Sequence, residues 1–153
     1  MQLLTFVKAT VIPVSADELF DWHEAAGAFE RLTPPWERVR ILDRQGGIRD
    51  GATVPLEVGP WPFSMRWDLR HQDYQRGRSF SDVQLKGPFR HWKHVHRMVP
   101  QGQHSCLLED AIEYALPLGR LGALAGGPIV QRKLRRMFDY RHEVTLRAFA
   151  SRP

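Results

Sequence analysis

Between Phe80 and Pro117 the chain is written almost wholly in period two. The runs Phe80-Ser-Asp-Val-Gln-Leu-Lys-Gly-Pro-Phe89, Trp92-Lys-His-Val-His96 and Asp110-Ala-Ile-Glu-Tyr-Ala-Leu-Pro-Leu-Gly119 each alternate. Alternation marks strands, because successive side chains leave a strand on opposite faces. One parity collects Phe80, Asp82, Gln84, Trp92, His94, His96, Met98, Cys106, Leu108, Asp110, Ile112, Tyr114 and Leu116. The other collects Lys93, Arg97, Glu109 and Glu113, which favour water. The dry parity is therefore mostly aromatic and aliphatic, yet it carries Asp82, His94, His96 and Asp110. An unpaired buried polar group costs about 1–3 kcal/mol, so a face that only packs would not hold four of them. It reads as the wall of a lined pocket.

The elements before and after this stretch fit around such a sheet. Leu3 to Pro13 is rich in Val, Ile, Thr and Phe and reads as a strand. Ser15, with Glu18 three residues on, has the capping-box pattern and opens a helix over Ala16 to Glu24. Gly27 ends it. A short helical turn from Ala28 to Leu32 stops before Pro34-Pro35, which cannot continue a helix. Strands follow over Trp36 to Asp43, turned by Gln45-Gly46-Gly47, then over Ala52 to Val58 and Phe63 to Tyr74. The last of these sets Phe63, Met65, Trp67, Leu69 and His71 on one face. Short turns between successive strands imply an antiparallel meander. Gly119 to Pro128 reads as a Gly-rich break, and it lacks the Lys and Ser/Thr of a phosphate-binding loop. A long helix is expected from Pro128 to Phe149, with Val130, Leu134, Met137, Phe138 and Phe149 as its apolar stripe.

The expected architecture is α+β: about seven antiparallel strands curved around a long C-terminal helix, with two short helices after the first strand and a cavity between sheet and helix. At 153 residues the chain is read as one domain over residues 1–150 with a tail at 151–153. No apolar run approaches the ~20 residues of a membrane span, and the N-terminus lacks the pattern of a signal peptide. A cytoplasmic location is the expectation. A single cysteine, Cys106, excludes an internal disulfide, and its inward parity favours a buried thiol over a nucleophile. The net charge of +5 gathers in part near the C-terminus, at Arg132, Lys133, Arg135, Arg136, Arg141 and Arg147. Nucleic-acid binding requires a continuous basic track; the plainer reading is a solvated helix face.

Five segments together resemble the SRPBCC superfamily, whose START-like or helix-grip fold is shared by polyketide cyclases, lipid-transfer domains and pollen-allergen-like proteins. They are Phe29-Glu-Arg-Leu-Thr-Pro-Pro-Trp36, Asp82-Val-Gln-Leu-Lys-Gly-Pro-Phe89, Trp92-Lys-His-Val-His96, Asp110-Ala-Ile-Glu-Tyr114 and Arg136-Met-Phe-Asp-Tyr-Arg-His142. The likeness is greatest to small bacterial polyketide cyclase/dehydrase-like members. It implies a helix-grip domain that binds an organic ligand without a metal or other cofactor. Related domains occur beside NAD-dependent epimerase-like domains, so such a protein is a possible partner.

The candidate site residues are Trp67, His71, Asp82, Gln84, Trp92, His94, His96, Asp110, Tyr114 and Arg141. Arg141 falls near the stripe of the last helix, between Leu134, Phe138 and Thr145, and a buried guanidinium requires a polar partner, for which Asp82 and Asp110 are available. His94 and His96 lie two apart on one strand face, and His71 could add a third imidazole. A three-histidine set suits zinc, but this spacing fixes no third ligand, and no metal is expected. As an acid–base group, His94 or His96 held by Asp82 or Asp110 could move a proton, with Arg141 or Tyr114 as oxyanion donor. Trp67, Trp92 and Tyr114 would give flat walls for an aromatic or isoprenoid ligand. Three readings follow: binding of a hydrophobic or aromatic small molecule (lipid, isoprenoid or polyketide-like), a cyclase or dehydratase using His94, His96, Asp110 and Arg141, and an RNA- or membrane-associated basic module.

Overall fold

The computed structural model describes residues 1–43 and 46–150. The chain order is β1 (Leu4–Ile12), α1 (Ala16–Glu24), α2 (Ala28–Leu32), β2 (Val39–Ile41), β3 (Thr53–Val58), β4 (Met65–Gln75), β5 (Ser79–Lys86), β6 (His91–Gly102), β7 (Ser105–Ala115) and α3 (Gly119–Ala150). The strands form one antiparallel sheet in the order β1-β7-β6-β5-β4-β3-β2. This is the expected helix-grip arrangement, with α3 packed along the concave face.

Local chemistry explains the elements. Ser15 caps α1: its Oγ accepts from the Glu18 N–H at 3.2 Å and donates to Glu18 Oε2 at 3.2 Å. That leaves Leu19, Phe20 and His23 on the buried side. In β7 the alternation is unbroken from Ser105 to Tyr114, with Cys106, Leu108, Asp110, Ile112 and Tyr114 all buried. The outward parity is tied by pairs such as Arg97–Glu109 at 2.7 Å.

Two apolar cores lie along the sheet, and a polar layer separates them on every element that crosses it. One core contains Ile12, Phe20, Phe80, Met98, Leu108 and Phe149. The other contains Phe6, Trp92, Ile112, Tyr114, Leu134 and Phe138. Between them fall Thr10 on β1, Asp110 on β7, His94 and His96 on β6, Asp82 on β5, and His142 and Thr145 on α3. In the register His96 faces Asp110, Asp82 faces His94, and His71 faces Asp82.

Three sequence expectations are corrected. The Gly-rich stretch from Gly119 to Pro128 is not a break: it is the first third of α3, with Pro128 inside the helix. Two of its glycines serve close approach. A Cβ on Gly122 would lie 1.8 Å from the Pro117 carbonyl oxygen, and one on Gly126 would lie 3.0 Å from Leu116 Cδ1. The strand expected over Trp36 to Asp43 contracts to Val39–Ile41, while Trp36 sits edge-on to Tyr140 at 5.3 Å and under Arg136 at 4.4 Å. Phe63 precedes β4 and is exposed. Of the turn at Gln45-Gly46-Gly47, Gln45 lies outside the described residues, as does the 151–153 tail.

Candidate functional site

A cavity of about 1050 Å³ lies between the sheet and α3. Its wall is largely apolar, with Leu56, Trp67, Leu69, Phe89, Trp92 and Phe138 among the lining side chains. The aromatic groups brace one another: Trp67 meets Trp92 edge-on at 4.9 Å, and Phe89 lies 4.8 Å from Trp92. At the polar layer the same cavity is lined by His71, Asp82, His94, His96 and Arg141. Asp110 and His142 border a second, small space of about 10 Å³ next to it, together with His23 and Thr145.

Asp110 is the hub of the polar layer. Its Oδ1 accepts from His94 Nε2 and from His96 Nδ1, each at 2.8 Å, and its Oδ2 accepts from His142 Nε2 at 2.7 Å. His142 Nδ1 in turn lies 2.7 Å from Thr10 Oγ1. Burial alone would raise the Asp110 pKa; the charge of His96 and the hydrogen bonds from His142, His94 and His96 hold it well below the usual carboxylate range. Asp82 is the second carboxylate. Trp92 Nε1 donates to its Oδ1 at 3.2 Å, while its Oδ2 lies 3.4 Å from both His94 Nδ1 and His96 Nε2. Burial opposes its ionisation too, but hydrogen bonds from the two imidazoles overcome it and hold the group ionised. Burial pulls His94 down, yet its bonds to Asp110 and Asp82 prevail and raise it to about 9. His94 is thus an imidazolium at neutral pH, bridging two carboxylates and facing a cavity.

The remaining histidines respond to burial. His23, whose Nδ1 lies 2.8 Å from the Leu19 carbonyl, is lowered to about 4. His71 is lowered as well, chiefly by burial, and its Nδ1 has no hydrogen-bond partner among the described residues. Cys106 is buried and raised to about 11, so its thiol is inert.

The structure brings Trp67, His71, Asp82, Trp92, His94, His96 and Arg141 to one cavity, and Asp110 stands directly behind the imidazoles. Gln84 and Tyr114 stand apart. Gln84 closes the β5–β6 bend, its Nε2 donating to the Phe89 carbonyl at 2.6 Å and its Oε1 accepting from the Phe89 N–H at 3.2 Å. Tyr114 is fully buried behind Phe89 and Trp92. The partner expected for Arg141 is corrected. Its Nε donates to the Leu32 carbonyl at 3.1 Å and its guanidinium lies 5.1 Å from the Phe138 ring, and among the described residues no carboxylate forms an ion pair with it. His142, one residue later, takes the Asp110 contact. His142 is the residue missing from the sequence-based set, although its spacing from Leu134, Phe138, Thr145 and Phe149 places it squarely on the buried stripe.

Comparison with known proteins agrees with the fold. A sequence model of the family described as "Polyketide cyclase / dehydrase and lipid transport" matches residues 12–139. No curated protein matches the sequence significantly. Among solved structures, norcoclaurine synthase from Thalictrum flavum is similar with a TM-score of 0.69 and 15% identity, over 99% of this chain and 90% of that one. A START superfamily protein from Mycobacterium smegmatis is similar with a TM-score of 0.67 and 14% identity, over 95% and 97%. A nucleoside-diphosphate sugar epimerase from Corynebacterium glutamicum is similar with a TM-score of 0.68 and 26% identity. That match takes in 93% of this chain but 28% of the epimerase chain.

Proposed function

The chain belongs to the polyketide cyclase/dehydrase and lipid transport family, and from that premise we propose that it binds a hydrophobic, largely aromatic or isoprenoid small molecule bearing one polar end. The observation that carries this reading is the two-part cavity: about 1050 Å³ of mostly apolar wall, closed on one side by His94, Asp82, His96 and Arg141. Drug-sized ligands occupy pockets of about 300–1,000 Å³ with few, well-placed polar groups. The apolar body of the ligand lies against Trp67, Leu69 and Trp92, and its oxygen faces His94 and Arg141. No helix among the described residues is long and apolar enough to cross a membrane.

A second reading, a cyclase or dehydratase, is favoured by His94 itself. An imidazolium fixed between two carboxylates can donate a proton to a ligand oxygen, and Arg141 can stabilise the charge that develops. A partnership with an NAD-dependent epimerase-like protein is supported by the C. glutamicum epimerase, 28% of whose chain is covered by the match. The basic module finds less support: Lys133 is paired with Glu37 at 3.3 Å, and Arg136 lies over Trp36.

The test combines native mass spectrometry of the purified protein with titration of the fluorescent probe 8-anilinonaphthalene-1-sulfonate. A co-purified small molecule, or saturable binding of one probe per folded chain that Leu69→Trp weakens by filling the cavity, supports the reading. Absence of both overturns it.

A further inference from the structure

Asp82, His94 and His96 present three ligand atoms that lie within 4.8 Å of one another. We propose that these three residues bind a divalent first-row transition-metal ion, with Asp110 as the carboxylate that orients both imidazoles. The inference does not rest on the identity of any organic ligand.

Each imidazole has one nitrogen committed. His94 Nε2 and His96 Nδ1 both point at Asp110 Oδ1 at 2.8 Å. Asp110 cannot swing to serve another group, because His142 Nε2 holds its Oδ2 at 2.7 Å. The second nitrogens, His94 Nδ1 and His96 Nε2, then converge on one atom, Asp82 Oδ2, each at 3.4 Å. As hydrogen bonds both are long, against the usual ~2.7–3.2 Å of an N–H···O bond. The distance equals the edge of a tetrahedron around one ion, about 3.3–3.5 Å when the metal–ligand bonds are about 2.0–2.2 Å. A ring nitrogen that ligates a metal while the other ring nitrogen donates to a carboxylate is the recurrent outer-shell pattern of histidine metal sites.

The surroundings fix the donors and leave one side open. Trp92 Nε1 holds the other oxygen of Asp82, which keeps Oδ2 turned to the rings. Phe80 stacks on His96 with centroids 4.2 Å apart and planes 14° apart, and Phe138 meets His94 edge-on at 5.2 Å. All three donors line the large cavity. His71, cross-strand from Asp82, lines it too, with its buried Nδ1 unpartnered. Three protein ligands with a further position open to a cavity match catalytic zinc sites, whereas structural sites are closed by four. Imidazole and carboxylate donors suit zinc and its neighbours. Ligation requires His94 Nδ1 to give up any proton it shares with Asp82. The ion replaces this proton, which leaves to solvent.

Chelator-stripped protein is titrated with Zn²⁺ by calorimetry and with Co²⁺ by visible absorption, with no organic ligand present. The expected result is one ion per chain, a raised melting temperature, and the intense visible band of low-coordinate Co²⁺. Asp110→Asn should weaken binding roughly 10–100-fold, and Asp82→Asn and His96→Gln should weaken it more. His104→Gln, at an exposed histidine, should leave it unchanged. Less than one ion per wild-type chain overturns the proposal. So does stoichiometric binding that survives all three site substitutions, or that His104→Gln removes. Should one variant fail to fold by circular dichroism, wild-type stoichiometry and the remaining variants still decide.

Discussion

His142 Nε2 stands 2.7 Å from Asp110 Oδ2, and this contact fastens the long C-terminal helix to the middle of the sheet. Both side chains are almost fully buried, at 2% and 6% exposure, so the pair is not diluted by solvent. Breaking a buried charged network on one side typically costs about 3–5 kcal/mol. Asp110→Asn should fall in that range, and His142→Gln nearer the ~1.5–3 kcal/mol of a hydrogen bond to a charged group. In urea denaturation the double variant should be less destabilised than the sum, with a coupling of about 0.5–3 kcal/mol. Strict additivity would show that the two residues do not act together.

Arg141 behaves differently from its neighbour. Its Nε bond goes to the Leu32 carbonyl, and burial lowers its pKa against the pull of Asp110, Asp82 and Glu37. Arg141→Met keeps the apolar stem and removes a buried charge, so it should cost no more than the ~1.5–3 kcal/mol of one hydrogen bond from a charged group. It should weaken the anionic naphthalene-sulfonate probe more than it weakens the fold. A melting-temperature loss larger than that of His142→Gln, with probe affinity unchanged, would assign Arg141 to the scaffold instead.

His23 sets an acid limit on stability. Burial lowers it to about 4; the Leu19 carbonyl and Asp110 pull it upward, and His96 and His142 press it down. In the unfolded chain it titrates near the ordinary ~6.5. Between these values the unfolded state binds more protons, so stability rises with pH across that window. The contribution is complete above about 6.5 and is lost as pH falls towards 4. Chemical denaturation at pH 4 to 8 should show a shallower slope in His23→Gln than in the wild type. Parallel curves would mean that the ring is protonated without penalty.

Gly122→Ala tests the first third of α3. Helix propensity alone favours alanine by about 1 kcal/mol. The added Cβ, however, would meet the Pro117 carbonyl oxygen at 1.8 Å and the Pro117 carbonyl carbon at 3.0 Å, both backbone atoms. The variant should therefore melt below the wild type. A higher melting temperature would mean that the helix start does not press on the Leu116–Leu118 segment.

Much of this was legible because strand parity is a binary choice. Phe80, Asp82, Trp92, His94, Asp110 and Ile112 follow it, and all six are buried. Parity does not report depth. It groups Gln84 and Tyr114 with the cavity residues, although one clamps a bend and the other lies behind the wall. The helix was harder, since each residue turns the face by about 100°. A phase error of one residue exchanges Arg141 for His142, and with it the partner of Asp110. The glycines before Pro128 carried a composition that usually interrupts a helix, and only the neighbouring Leu116 and Pro117 explain why small residues belong there. What no local pattern contains is the convergence of His94 and His96 on Asp82, because it depends on how β5 and β6 are paired.

The polar layer between the two cores also acts as a ruler for assembly. Hydrophobic alternation distinguishes a correct strand pairing from a slip of one residue, which turns every side chain to the wrong face. It is blind to a slip of two. Shifted by two residues in one direction, β6 would set Met98 against Asp110 and His96 against Ile112; in the other it would set His94 against Asp110 and His96 against Leu108. In the native register His96 faces Asp110, and Met98 and Leu108 face each other in the neighbouring row. The first slip takes the cross-strand imidazole away from Asp110, whereas the second keeps one there and the native register already sets His94 against Ile112, so charge placement rejects one of the two slips that greasy patterning alone would accept.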